Sequence, residues 1–158
     1  MGSKGEATME LWELSARESI RELIAGYATN VDSGRFEDVV QLFAADGTLE
    51  PGGRPYTGHE KIRAMFARAG DSLANWPEPV VLRHMTGSVT ISIESPERAS
   101  GRLYYAVFMG HGLDHWGHYN DTYCTVDGQW RFEHRKEFRD GVLPGGWADS
   151  MAQQISGS

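Results

Sequence analysis

Several absences narrow what this 158-residue chain is able to be. It has one cysteine, Cys124, which excludes an internal disulfide. No activating base stands near Cys124 in its strand-like run, so a buried small hydrophobe is a plainer reading of it than a nucleophile. Basic residues are in deficit, 15 Lys and Arg against 22 Asp and Glu for a formal net charge of -7, and they form no stripe. Nucleic-acid binding needs cations clustered along phosphates and is not expected. No apolar run reaches the length that crosses a bilayer, so no membrane association is expected either. The first residues lack the apolar core of a signal peptide, and with a lone cysteine this points to the cytoplasm. A Gly-rich phosphate loop, a Ser-centred nucleophile elbow and a spaced zinc motif are also missing. What remains is acid/base chemistry by side chains.

The length suits one domain, placed at residues 10–145, with flexible termini at 1–9 and 150–158. Ser15 with Glu18 reads as a capping box, and Ile20, Leu23, Ile24, Tyr27 and Val31 follow at helical spacing. Gly34 is placed to stop this first helix in a left-handed conformation. Phe36, Val39, Val40, Leu42 and Phe43 mark a second helix, ended by Asp46-Gly47. Short extended pieces follow around Pro51-Gly52-Gly53, and Thr57 with Glu60 reads as a second capping box. The third helix carries Ile62, Met65, Phe66 and Ala69 on one face and runs to about Gly70, with Asp71 to Pro79 as a loop or lid. Strands are expected over residues 80–85, 89–94, 102–109, 118–126 and 129–138, with Asp127-Gly128 as a hairpin turn. Three helices followed by an antiparallel meander indicate an α+β fold: a curved, cone-shaped, mostly antiparallel sheet with the helices on its concave side.

Asp32 falls in the last turn of the first helix, where a carboxylate meets the negative end of the helix dipole. It either opens the turn into the next helix or is held in a pocket to orient a histidine. Tyr27 sits on the apolar stripe one turn earlier, as packing or as a hydroxyl at a cavity edge. His84 shares a strand face with Val80 and Leu82, as a satisfied core histidine or as a general base, the side chain best matched to proton transfer near neutral pH. His111, His115 and His118 have loop-like rather than helical spacing because of Gly110, Gly112 and Gly117. A metal site is not expected there; this Gly/His/Trp loop, with Trp116, is expected to rim a pocket. On the last strand, Trp130, Phe132, His134, Lys136 and Phe138 alternate with Arg131, Glu133, Arg135, Glu137 and Arg139. The charged face reads as solvated or as a dimer surface, with Arg139 reaching the mouth of the cone.

Tyr27, Asp32, Phe36 and Leu42-Phe43-Ala44-Ala45-Asp46-Gly47 together resemble the N-terminal signature of the SnoaL-like family of the nuclear-transport-factor-two-like superfamily. His84-Met85, Gly117-His118-Tyr119-Asn120-Asp121 and Asp127-Gly128-Gln129-Trp130-Arg131-Phe132 continue the likeness, which spans about residues 12 to 140. The resemblance implies a cystatin-like α+β barrel and, in members of the scytalone dehydratase, bile acid 7α-dehydratase and hexachlorocyclohexane dehydrochlorinase type, catalysis without a cofactor. It places Tyr27, Asp32, His84 and Arg139 at catalytic positions. Gly87 stands where the bile acid enzyme carries a second histidine. Substrate contacts are expected from Tyr56, Phe108, His115, Trp116, His118 and Tyr119. The expected function is a lyase or isomerase acting on a bulky, oxygenated, aromatic or polycyclic small molecule. Dehydration, isomerisation and carbon–carbon cleavage such as formaldehyde loss all stay open, and the protein is expected to assemble as a homodimer or homotrimer. The alternative is a noncatalytic small-ligand or partner-binding module of the same fold.

Overall fold

Apolar residues at spacings of three and four give the chain its first helix, and in a computed structural model describing residues 8–156 this is α1, Leu11–Asp32. Ala16, Ile20, Leu23, Ile24 and Tyr27 are its buried stripe. The helix begins a turn earlier than the Ser15–Glu18 pattern predicts: Glu10 precedes it, without a side-chain capping bond. Gly34 does take the left-handed conformation, φ 68°, just past its end.

The second helix is shorter than expected. α2, Phe36–Val40, gives way to strand β1, Phe43–Glu50, so the stretch from Phe43 to the expected helix end at Asp46-Gly47 is extended. Tertiary pairing overrides that expectation, because β1 lies parallel to the last strand with Phe43 opposite Phe132 and Thr48 opposite His134. Gly47 is required there, since a Cβ would fall 2.8 Å from the Phe132 carbonyl oxygen. β2, Tyr56–Thr57, pairs back on β1, and Thr57 bonds the Thr48 hydroxyl instead of capping a helix. Helix α3, His59–Ala74, runs a turn longer than expected and has Gly58 at its N-cap.

Strands β3 (Arg83–Ser95), β4 (Arg98–Met109), β5 (Gly112–Val126) and β6 (Gln129–Val142) form the antiparallel meander. The sheet order is β2-β1-β6-β5-β4-β3, six strands with one parallel pair, and it is open rather than closed into a barrel. The turn at Asp127-Gly128 has positive φ at both residues, 50° and 75°, as a tight hairpin demands. Residues 112–117, expected as loop, belong to β5. The chain beyond Ser150, expected as a flexible tail, continues helix α4, Trp147–Ser156. Residues 1–7, 157 and 158, the rest of the expected termini, lie outside the described residues.

Irregular register sets which side chains face the helices. In β3, Ser88 and Val89 together oppose Leu103, and Ser88 has φ 50°. Such a bulge reverses the alternation of faces beyond it. His84, opposite buried Val107, therefore shares the helix-facing side with Ile91 and Ile93, whose numbers have the other parity. The same happens in β6 at Glu133: Trp130 and Phe132 face inward before it, and Arg135 and Glu137 face inward after it. The expectation of a solvated charged face is thus corrected: Arg135 and Glu137 are buried, while His134, Lys136 and Phe138 turn outward.

Candidate functional site

The end of α1 turns Asp32 onto the first residues of β3. Asp32 Oδ1 lies 2.6 Å from His84 Nδ1, and its two oxygens accept the His84 backbone N–H at 3.1 and 2.9 Å. One carboxylate thereby fixes both the ring and the chain carrying it, as the acid of a His–Asp pair must. Both side chains are largely covered, 13% and 12% exposed, and Nε2 of His84 has no protein partner among the described residues. With Nδ1–H donated to Asp32, Nε2 is the nitrogen available to take a proton.

Tyr27 is brought to the interior but not into contact with that pair. Its ring packs edge-on to Phe43, Phe66, Tyr119 and Phe132. The Arg135 guanidinium stacks 4.4 Å from the centroid of Tyr27 and 4.3 Å from that of Tyr119. Neither tyrosine hydroxyl has a hydrogen-bond partner among the described residues. Burial pushes the Tyr27 and Tyr119 hydroxyls well above the ordinary phenol range, so both stay protonated as donors.

Around them lies a polar interior whose charges sequence reasoning missed. Arg135 is fully buried and donates to Asp121 from Nε at 3.1 Å and from Nη2 at 2.7 Å; the Tyr123 hydroxyl donates to the same carboxylate at 2.9 Å. Burial works against the guanidinium charge, but Asp121 outweighs it and the Arg135 pKa is raised. Glu137 accepts from the Tyr105 hydroxyl in a short hydrogen bond, from Gly52 N–H at 3.0 Å and from Arg139 Nε at 3.2 Å. No local signal marks this set, because the odd-numbered charges of β6 begin at Arg131, before Phe132, and run unbroken past the bulge that pairing with β5 creates.

His115, also inside, lies opposite Val107 on the strand next to the one that faces His84. Its Nδ1 is 2.7 Å from Asp114, a fully buried carboxylate that also meets His111 Nε2 at 3.0 Å and accepts the backbone N–H groups of Trp147 and Ala148. Burial raises the Asp114 pKa, but the His115 bond and the α4 amides prevail and bring it down to about 2. His118 instead bonds Asp140 on the outer face and stacks on Phe138. The three histidines of the former loop are thus divided between two faces. Among the described residues no group of three or more His, Cys, Asp or Glu is placed to hold a metal ion.

Phe108, Trp116 and His118 alternate onto the outer face of the sheet, away from Asp32 and His84, which corrects their expected place at an interior pocket. Tyr56 lines a cavity of about 1160 Å³ between the Pro51–Gly53 turn, α3, Trp76-Pro77, the end of β6 and α4. Arg139 and Trp147 stand in the same wall; Asp32 and His84 do not. Trp147 links it to the interior, its ring lying 6.2 Å from that of His115.

A family model described as a SnoaL-like domain matches residues 12–136. Among curated proteins none matches. The fold is shared with several solved structures. A candidate scytalone dehydratase from Novosphingobium aromaticivorans is 20% identical with TM-score 0.74, covering 85% of this chain and 91% of its own. LinA is 18% identical with TM-score 0.72, covering 85% and 94%. An NTF2-like protein with a cystatin-like fold, also from N. aromaticivorans, is 25% identical with TM-score 0.67, covering 95% and 97%.

Proposed function

The chain belongs to the SnoaL-like domain family, and on that premise we propose that it is a cofactor-independent lyase or isomerase with His84 as general base. The observation that supports this most is the 2.6 Å bond between Asp32 and His84 Nδ1, which leaves Nε2 open. Asp32 holds the imidazole in one tautomer and stabilises its protonated form. Nε2 removes a proton beside a carbonyl or a leaving group. Arg139, in the cavity wall, and the protonated Tyr27 supply donors to the oxygen that gains charge. The likeness to a candidate scytalone dehydratase agrees with elimination chemistry, and the apolar rings along the interior suit a bulky ring-bearing substrate.

The test follows ring-bearing β-hydroxy ketones by proton NMR in D₂O, for loss of water or for deuterium exchange beside the carbonyl. His84→Ala and Asp32→Asn are each expected to lower turnover by about 10²- to 10⁴-fold with the far-ultraviolet circular dichroism unchanged. Asn keeps an oxygen for the His84 backbone N–H, so the strand stays tethered. Normal turnover in both variants overturns the reading.

One observation favours the second reading, a noncatalytic small-ligand-binding domain: the cavity lined by Tyr56, Arg139 and Trp147 is not walled by Asp32 or His84. On that reading ligands bind without turnover, and the Asp32–His84 contact serves only to pin α1 to β3. Assembly through the outer sheet face belongs to the proposal as well, supported by the exposed Tyr104, Phe108, Trp116 and Phe138 there.

A further inference from the structure

The wall of the large cavity carries positive charge that nothing in the fold uses. Arg54, next to the Pro51–Gly53 turn, and Arg68, on α3, each hold their guanidinium 5.6 Å from the centroid of the Tyr56 ring. All three residues line the cavity. Neither arginine has a carboxylate or any hydrogen-bond acceptor among the described residues, although the chain carries seven more acidic than basic side chains. Some other surface arginines do find carboxylates, as Arg17 with Glu13, Arg63 with Glu37 and Arg98 with Glu133, whereas Arg102, held over Tyr104 on the outer face, has none among the described residues. Arg139, the third guanidinium in the wall, is matched to Glu137. Against Arg54 and Arg68 the wall offers one acid, Asp71.

A guanidinium held near a tyrosine ring by cation–π attraction keeps its N–H groups free, and those groups recognise an oxyanion with paired hydrogen bonds. Two such groups share one partly buried ring, Tyr56. Tyr56, Met65, Trp76 and Trp147 supply apolar surface beside them. Trp76 adds a buried indole N–H with no acceptor among the described residues. We propose that the Arg54–Tyr56–Arg68 clamp binds an oxyanion, a carboxylate or a phosphate, borne by an apolar ring-bearing ligand whose body lies in the cavity toward Arg139 and Trp147. This names the charge class of the ligand. It rests on the lyase or isomerase reading only for what becomes of the ligand, not for its binding.

The test is titration calorimetry of the full chain with 2-naphthoate, 2-naphthyl phosphate and the neutral 2-naphthalenemethanol. At low salt at least one anion is expected to bind about tenfold more tightly than the alcohol, the size expected of two exposed ion pairs. The tighter of the two names carboxylate or phosphate as the recognised group. Arg54→Gln with Arg68→Gln removes the preference while the alcohol binds as before, and raised salt shrinks it in the wild type. Equal binding of anions and alcohol, or a preference that survives the double replacement, overturns the inference. His84→Ala retains the anion preference, so loss of the acid/base reading and loss of this one are separate outcomes.

Discussion

Arg135 sets two opposing costs against each other at a single position. Desolvating a guanidinium and a carboxylate is expensive, and the pair with Asp121 offsets this only because the Asp121 carboxylate also accepts the Tyr123 hydroxyl and three rings stack on the guanidinium. Asp121→Asn leaves the Arg135 charge buried without its counter-charge, and a loss of about 3–5 kcal/mol in urea unfolding is expected. Replacing both partners with apolar side chains, Asp121→Leu with Arg135→Met, should recover most of that loss once Tyr123→Phe removes the orphaned hydroxyl. If the combined variant is no more stable than Asp121→Asn, the buried charge is not the origin of the loss. Asp32 differs in kind from Asp121. Its oxygens serve a side chain and a backbone amide, so a carboxamide there separates charge from tethering in a way that alanine does not.

Among the elements, α4 depends on a residue from another strand. Asp114 is the extra residue where β5 passes Val107 and Phe108, and from that bulge it reaches the first amides of α4 at 2.7 and 3.2 Å. Gly146 makes room, since a Cβ would lie 2.6 Å from Asp114 Oδ1. The folded-state pKa of Asp114, about 2, is below the ordinary carboxylate value. Its contribution is therefore complete above about pH 4, the unfolded value, and is lost as pH falls through the folded one. The expected outcome is a thermal midpoint that drops between about pH 4 and 2 in the wild type and varies less in Asp114→Asn. Parallel profiles in the two proteins would show that other carboxylates govern acid unfolding. The β3 bulge is open to a similar trial: deleting Ser88 restores simple alternation, and either His84 or the Ile91–Ile93 pair must then leave the inner face. Loss of turnover with lowered stability is expected; a deletion variant with normal turnover and unfolding midpoint removes the bulge from the account.

For the molecule as a whole, the sheet has two unlike faces. The inner one holds the apolar core, the Asp32–His84 pair and the paired interior charges; the outer one exposes Tyr104, Phe108, Trp116 and Phe138. Light scattering at micromolar concentration is expected to give a mass at least twice 17.6 kDa, and Trp116→Glu to lower it. A monomeric wild type removes assembly from the proposal. Among the described residues no helix is long and apolar enough to cross a membrane.

How much was legible in the sequence differs between these scales for one physical reason. Helix periodicity, the glycine past α1 and the Asp127-Gly128 hairpin are local, set by backbone geometry within a few residues, and the chain alone determined them. Asp32 and His84 could be nominated from the chain, but their contact joins positions 52 apart in sequence and belongs to the tertiary structure. The facing of Arg135 and Glu137 was decided there too. A bulge is a mismatch in residue count between two strands, so it has no meaning until the partner strand is in place. The strict alternation of β6 therefore predicted a wet charged face, and the bulge at Glu133 turned that face into the interior.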